Sequence, residues 1–151
     1  MDVSRLVLEV AADARVTYPD HTCRLHIPEQ PVLLHGDESS LRQILLNLTS
    51  NATTYTGAGT TVLVSIEQGA GSVQIRVHDD GSGIAESALE SIFEPFAQDI
   101  HNPNQRHTGP LGLGLTIARR LSQWLGGALT VTSADGQTEF VITLSAPSSR
   151  C

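Results

Sequence analysis

The sequence contains no lysine: its nine basic residues are all arginine, they face sixteen Asp and Glu, and the formal net charge is -7. A catalytic lysine is therefore excluded, and any side-chain cation that meets a phosphate must be an arginine unless a metal ion does the work. The arginines stand singly apart from Arg119-Arg120, so there is no basic stripe to follow a nucleic-acid backbone, and no DNA or RNA partner is expected. Cysteine is scarce as well. Cys23 and Cys151 make neither a CxxC nor a Cys/His ligand spacing and read as reduced thiols of a cytoplasmic protein, not as a disulfide framework. No apolar run approaches the ~18 residues of a membrane span, and no basic n-region precedes an apolar one, so no membrane contact by this chain is expected. What is present, 40% hydrophobic and 17% charged residues in a chain of 151, fits one globular domain that can bury a core without staples. No repeat, low-complexity tract or linker divides it.

The chain is organised around Leu41 to Tyr55. Leu41, Ile44, Leu45, Leu48 and Ala52 recur at i, i+3, i+4, i+7 and i+11, the apolar stripe of an amphipathic helix. Asn47 and Asn51, one turn apart, continue with Thr54 and Tyr55 as a polar stripe roughly 100° round from the apolar one. Two amides at the edge of a core are placed to line a pocket.

Around this helix the pattern predicts a first helix from Asp2 to Val16 with Asp2 as N-cap. Two short strands follow, Thr22 to Ile27 and Pro31 to Leu34, parted by Pro28 and Glu29. The organising helix is entered through Gly36-Asp37. Thr60 to Glu67 and Ser72 to His78 alternate as a hairpin turning on residues 68–71, and the second strand runs into Asp79-Asp80-Gly81-Ser82-Gly83. A short helical piece, Glu86 to Ile92, leads to Phe93-Glu94-Pro95-Phe96. From Ala97 to Pro110 periodicity disappears over about 14 residues, a length at which loops are usually functional, and this stretch reads as a mobile lid. A helix then opens at Gly112-Leu113-Gly114-Leu115, with Ile117, Leu121, Trp124 and Leu125 expected on its buried side and Gly126-Gly127 as its stop. Ala128 to Ser133 and Glu139 to Leu144 form a last hairpin across Asp135-Gly136.

Chemistry gathers at three junctions. A strand that delivers Asp79 and then turns on Gly81 and Gly83 offers a fixed carboxylate beside backbone that a flat ligand can approach closely, and a carboxylate accepts hydrogen bonds from an exocyclic amine. The start of the Gly112–Leu115 helix supplies free N–H groups and the positive end of a helix dipole, an ordinary phosphate site. Asn51 can present its amide oxygen to Mg²⁺, a hard cation that bridges phosphate oxygens and keeps several waters.

In order and spacing these elements resemble a known family. NLTSNATTYT is similar to the N box, HDDGSGI to the G1 box, FEPF to the F box and GLGL to the G2 box of the histidine-kinase catalytic and ATP-binding domain, within the group that includes gyrase, Hsp90 and MutL ATPase modules. The resemblance runs from DVSRLVLEV to GQTEFVITL, and domain boundaries of 1–146 with a disordered tail at 147–151 are expected. It implies a two-layer α/β (α+β) sandwich, the Bergerat ATP-binding fold, with three main helices packed on one mixed, mostly antiparallel five-stranded sheet. By the family pattern Asp79 would bind the adenine amine, Asn51 would be the Mg²⁺ ligand, and Asn47 would lie near the phosphates and metal waters. Gly81, Gly83, Gly112 and Gly114 would shape the pocket, Tyr55 would pack beside the nucleotide, and Ile84, Phe96, Leu113 and Leu115 would belong to the same binding set. Asn47, Asn51 and Arg106 would be the catalytic group. The implied cofactors are ATP and Mg²⁺. The implied partners are ATP or ADP, a histidine-bearing dimerisation hairpin that is not in this chain, and indirectly a response regulator; a monomer is expected.

The sequence departs from the pattern at three places. Thr54 stands where many members carry a phosphate-contacting lysine, Gly109-Pro110-Leu111 replaces the usual Gly-Gly-Thr, and Asp80 replaces a common Asn. Phosphate affinity would then lean on Arg106 and lid backbone. None of the six histidines falls on a predicted helix with an acidic residue after it. A degenerate ATP-sensing module, a gyrase-like or Hsp90-like ATPase and an anti-sigma serine kinase are the alternatives. The ATPase would need a Glu where Asn47 stands.

Overall fold

The structure, a computed structural model, describes residues 1–54, 59–69, 71–81, 92–93, 114–134 and 137–145. The first helix, α1 (Val3–Thr17), starts where the Asp2 carboxylate accepts the Arg5 N–H, and it buries Val3, Leu6, Val7, Val10, Ala11 and Ala14 on one side. A short strand, β1 (Thr22–His26), precedes the long helix α2 (Glu38–Thr54). Asp37 caps α2, with its carboxylate accepting from the Ser39 N–H and the Ser40 hydroxyl. The hairpin of β2 (Thr61–Gly69) and β3 (Ser72–Asp79) is closed by a pairing of Gly69 with Ser72, and Gly71 takes the left-handed backbone (φ +77°) that such a tight turn needs. Helix α3 (Gly114–Trp124) and the strands β4 (Ala128–Ala134) and β5 (Gln137–Ser145) complete the chain.

The strand order is β1-β2-β3-β5-β4; β1 runs parallel to β2 and every other neighbour is antiparallel. This is the mixed, mostly antiparallel five-stranded sheet that the resemblance implies, with the three described helices as the second layer. Along β2 and β3 burial alternates residue by residue, so one sheet face carries Val62, Val64, Ile66, Val73, Ile75 and Val77 into the core. Against them sit Leu41, Ile44, Leu45 and Leu48 of α2, each 0% exposed. The apolar stripe of the organising helix is thus the centre of the molecule. Among the described residues no helix is long and apolar enough to cross a membrane.

Two expectations are corrected. Pro31 to Leu34 is not a sheet strand. Its alternation is real, with Val32 and Leu34 buried and Leu33 exposed, but its backbone pairs with the start of α1: the Val3 N–H donates to the Val32 carbonyl, and the Val32 N–H donates to the Ser4 hydroxyl. Period-two burial identifies a segment lying on a core, not the partner that takes its hydrogen bonds. The buried side of α3 also differs from the predicted one. Leu115, Ala118 and Ser122 are buried, Leu121 and Leu125 partly so, while Trp124 is 77% and Ile117 42% exposed. Positions 117 and 124 lie roughly 110–130° round from the centre of the buried stripe. Hydrophobicity alone misplaced the stripe because two of its members are small or polar. Ser122 tolerates burial by donating its hydroxyl to the Ala118 carbonyl at 2.8 Å.

The stop of α3 is as expected. Gly126 adopts φ +80°, its N–H bonds to the Gln123 carbonyl and the Gly127 N–H reaches the Ser122 carbonyl, the paired bonds of a Schellman end. Gly127 is required for a second reason: a Cβ there would overlap the Thr143 carbonyl oxygen of β5.

Candidate functional site

The inward face of β3 reads Val73, Ile75, Val77, Asp79, so the same alternation that builds the core carries a carboxylate to its edge. Asp79 is 5% exposed. Its Oδ1 accepts the Gly81 N–H at 3.1 Å, the turn that Gly81 was expected to make, and among the described residues no cation pairs with it. Burial accordingly pushes the Asp79 carboxyl up from its ordinary range; the Gly81 hydrogen bond and His78 pull it back, and Asp80 adds to the rise. A buried acceptor with spare capacity is what an exocyclic amine would meet. Asp80 has a different task. Its Oδ1 accepts the Thr61 N–H at 2.8 Å and its own N–H donates to the Thr61 carbonyl, so this departure from the family pattern ties off the β2–β3 ladder.

The polar edge of α2 supplies the next two groups. Asn51 carries a buried Oδ1 that has no hydrogen-bond partner among the described residues. An unsatisfied buried carbonyl costs about 1–3 kcal/mol, so such an atom in a well-packed helix calls for a ligand. Asn47, one turn earlier, is engaged at both ends of its amide: its Nδ2 donates to the Gly114 carbonyl at 3.0 Å and its Oδ1 accepts from Gln43 Nε2 at 2.8 Å. The side chain expected beside phosphates is here joined to the first residue of the helix expected to hold them.

Helix α3 begins at Gly114 and packs on α2, which also touches β3, so α2 links the elements carrying Asp79 and Gly114 to its own Asn47 and Asn51. Leu115, counted among the binding residues, is 1% exposed in the core, which leaves its backbone alone for a ligand. Phe93 packs edge-on against Phe140, with ring centroids 6.3 Å apart, and lies under the Arg119 guanidinium at 4.9 Å, while the Thr116 hydroxyl donates to its carbonyl at 2.7 Å. Phe93 and Gly114 are both held at the N-terminal half of α3. Gln43, Thr116 and Arg119 escaped the sequence reading; the spacing of Gln43 one turn before Asn47 is the signal that would have found the first of them. Tyr55, Gly83, Ile84, Phe96, Arg106, Gly112 and Leu113, with residues 86–91 of the predicted helical piece and the lid, lie outside the described residues; Ile92, the last residue of that piece, is buried. Among the described residues no group of three or more His, Cys, Asp or Glu could hold a metal ion.

Known proteins are similar to this chain in sequence and fold. Residues 36–148 match the family described as histidine kinase-, DNA gyrase B- and HSP90-like ATPase. The probable sensor histidine kinase TcrY of Mycobacterium tuberculosis is 38% identical over 144 residues, 95% of this chain and 30% of that protein. The sensor histidine kinase GacS of Pseudomonas protegens is 39% identical over 127 residues, 81% of this chain and 14% of that protein. The chain thus spans under a third of the length of these relatives. Among solved structures, the mycobacterial sensor histidine kinase MprB is similar with a TM-score of 0.84 and 25% identity over 97% of both chains. The ATP binding domain of PrrB from Mycobacterium tuberculosis gives 0.78 and 27% over 98% of this chain and 96% of that one. With the fold, the boxes and a match over most of its length in agreement, the chain belongs to the histidine kinase-, DNA gyrase B- and HSP90-like ATPase family.

Proposed function

We propose that this chain is the ATP-binding catalytic domain of a sensor histidine kinase, which passes the γ-phosphate of ATP to a histidine on a dimerisation hairpin outside the chain. Asp79 selects adenine by accepting its exocyclic amine; a site built around a hydrogen bond disfavours a base that cannot donate it. The N-terminus of α3, from Gly114 onward, offers N–H donors and the positive end of its dipole to the phosphates. The donor chemistry also fits a magnesium ion: Asn51 Oδ1 is a hard oxygen, buried and without a partner among the described residues, and Mg²⁺ uses few protein ligands beside phosphate oxygens and water. When bound, that ion neutralises phosphate charge.

The observation that carries transfer over hydrolysis is Asn47. Attack by water needs a base within reach, a carboxylate is the usual one, and an amide already bonded to Gln43 and Gly114 cannot take the proton. An imidazole acceptor is itself a nucleophile and needs less help. The relatives point the same way, since TcrY, GacS and MprB all carry the name sensor histidine kinase.

The test is to incubate the chain with γ-labelled ATP, alone and with an acceptor hairpin added in trans. Little turnover and no label is expected alone, and an acid-labile, base-stable label on the hairpin when both are present. Brisk hydrolysis without acceptor, or stable label on this chain, overturns the kinase reading in favour of an ATPase.

A further inference from the structure

Three polar groups in series join α2 to the start of α3, and the last of them sets the direction of all three. The Gly114 carbonyl can only accept, so Asn47 must turn Nδ2 toward it, at 3.0 Å. Oδ1 of Asn47 then faces Gln43, which in turn must present Nε2, at 2.8 Å. Run the other way, a donor at position 43 holds the Asn47 amide in the one orientation that can clamp Gly114. Without that donor the amide is free to turn over and set its oxygen against the Gly114 carbonyl, so that the bond between the helices is lost. Gln43 is exposed on α2 and reaches the site through Asn47.

We propose that Gln43 is a positioning residue: through Asn47 it fixes the first turn of α3, and with it the N–H groups that meet the phosphates. The phosphate part rests on the function proposed above; the orientation of Asn47 does not. The adenine end of the site, on β3, is independent of this relay, so Gln43 governs how tightly phosphates are held and leaves base selectivity alone.

Substitutions that separate donor from acceptor make the test. Gln43→Lys keeps a donor facing Asn47 Oδ1; Gln43→Glu offers only acceptors and draws Nδ2 away from Gly114. Titrating both variants with ATP, ADP and GTP, Gln43→Glu is expected to bind ATP and ADP about five- to tenfold more weakly, the worth of one lost hydrogen bond, with the preference for ATP over GTP unchanged. Gln43→Lys stays within about twofold of the wild type on the same scale. Because the two variants also differ in charge, each is repeated on Asn47→Ala: a relay through Asn47 predicts that the difference between Glu and Lys collapses there, whereas plain charge would preserve it. Amide hydrogen exchange of the nucleotide-free protein gives the second readout, with faster exchange at the start of α3 in Gln43→Glu and wild-type rates in Gln43→Lys. Equal effects of Glu and Lys, or a difference undiminished on Asn47→Ala, overturn the proposal. A wild type that binds no nucleotide refutes the phosphate role, and the exchange experiment then still decides whether Gln43 orients Asn47.

Discussion

The two ends of the long helix α2 are both polar, and they are polar in opposite ways. At its start Arg42 and Glu38 join Arg5 and Glu9 of α1 in a four-membered charge cluster, with Arg42 bonded to Glu9 at 2.6 Å and Arg5 to Glu38 at 2.8 Å, all on the surface. Its second half, with the end of β3, carries Asn51 Oδ1 and Asp79, which are buried and short of partners. At the first end every charge has a neighbour and water besides, so pairing adds little to stability. At the second, two oxygens have been withdrawn from water without full replacement, which a fold tolerates only where something else will complete them. Satisfied polarity open to water belongs to the scaffold; buried and unsatisfied polarity marks the proposed site.

The largest effect in breaking that contrast is expected at Asp79. Asp79→Asn keeps an acceptor for the Gly81 N–H but presents a neutral amide to the base; nucleotide titration should show ATP affinity falling about 10- to 100-fold, as for loss of a charged, buried hydrogen bond. The melting temperature of the nucleotide-free variant should not fall, because it no longer buries a charge. A variant that binds ATP as the wild type does removes Asp79 from the site. Next in size is Asn51→Leu, which replaces the orphaned amide with an apolar group of similar volume. Chemical denaturation without nucleotide should find it more stable than the wild type by about 1–3 kcal/mol, while any dependence of ATP binding on magnesium disappears. A loss of stability would mean that Asn51 Oδ1 is satisfied in solution.

Acidity sharpens the same contrast. The folded-state pKa of Asp79 lies above its unfolded value, so the native state binds the extra proton: its contribution to stability is present below the ordinary carboxylate range and is lost as pH rises through the raised value. If Asp79 meets the base as proposed, nucleotide binding needs the ionised form and should weaken as pH falls through that same value. Measured as wild type minus Asp79→Asn, stability and affinity should therefore move in opposite directions across that interval; parallel movement would contradict it. The smallest effect is expected at the surface cluster. The Arg42 hydrogen bond and charge hold the Glu9 carboxyl below its ordinary range, yet both side chains stay partly open to water, so Glu9→Gln should lower the melting temperature slightly and by less as salt is added. A large, salt-independent loss would show that exposure is the wrong dividing line.

Much of the fold was legible in the chain. The stripe of α2, the alternation of β2 and β3, the Asp2 cap and the Gly126-Gly127 stop depend on neighbours within a few residues, and each formed as expected. Pro31 to Leu34 and the face of α3 were misread because burial patterns carry no name for the partner: Val32 satisfied its backbone on α1, and Ser122 entered the core by bonding to its own helix. In the site, the residue types and their order were visible in the sequence. Their bonding was not, since Asn47 and Gly114 are 67 positions apart and meet only when α3 docks on α2.

The sequence by itself determined which groups exist: an acid at the end of a core-facing strand, two amides a turn apart on one helix, glycines where backbone must be bare, and no lysine anywhere. These follow from side-chain chemistry and from the periods of helix and strand, which are local. Only the tertiary structure decided which groups are spent and which are left over. Asp80 is used on Thr61, Asn47 on Gln43 and Gly114, and Asn51 Oδ1 is left without a partner among the described residues. Whether a polar atom finds a partner depends on what packing brings within about 3 Å of it, a property of the folded chain that no window of sequence contains.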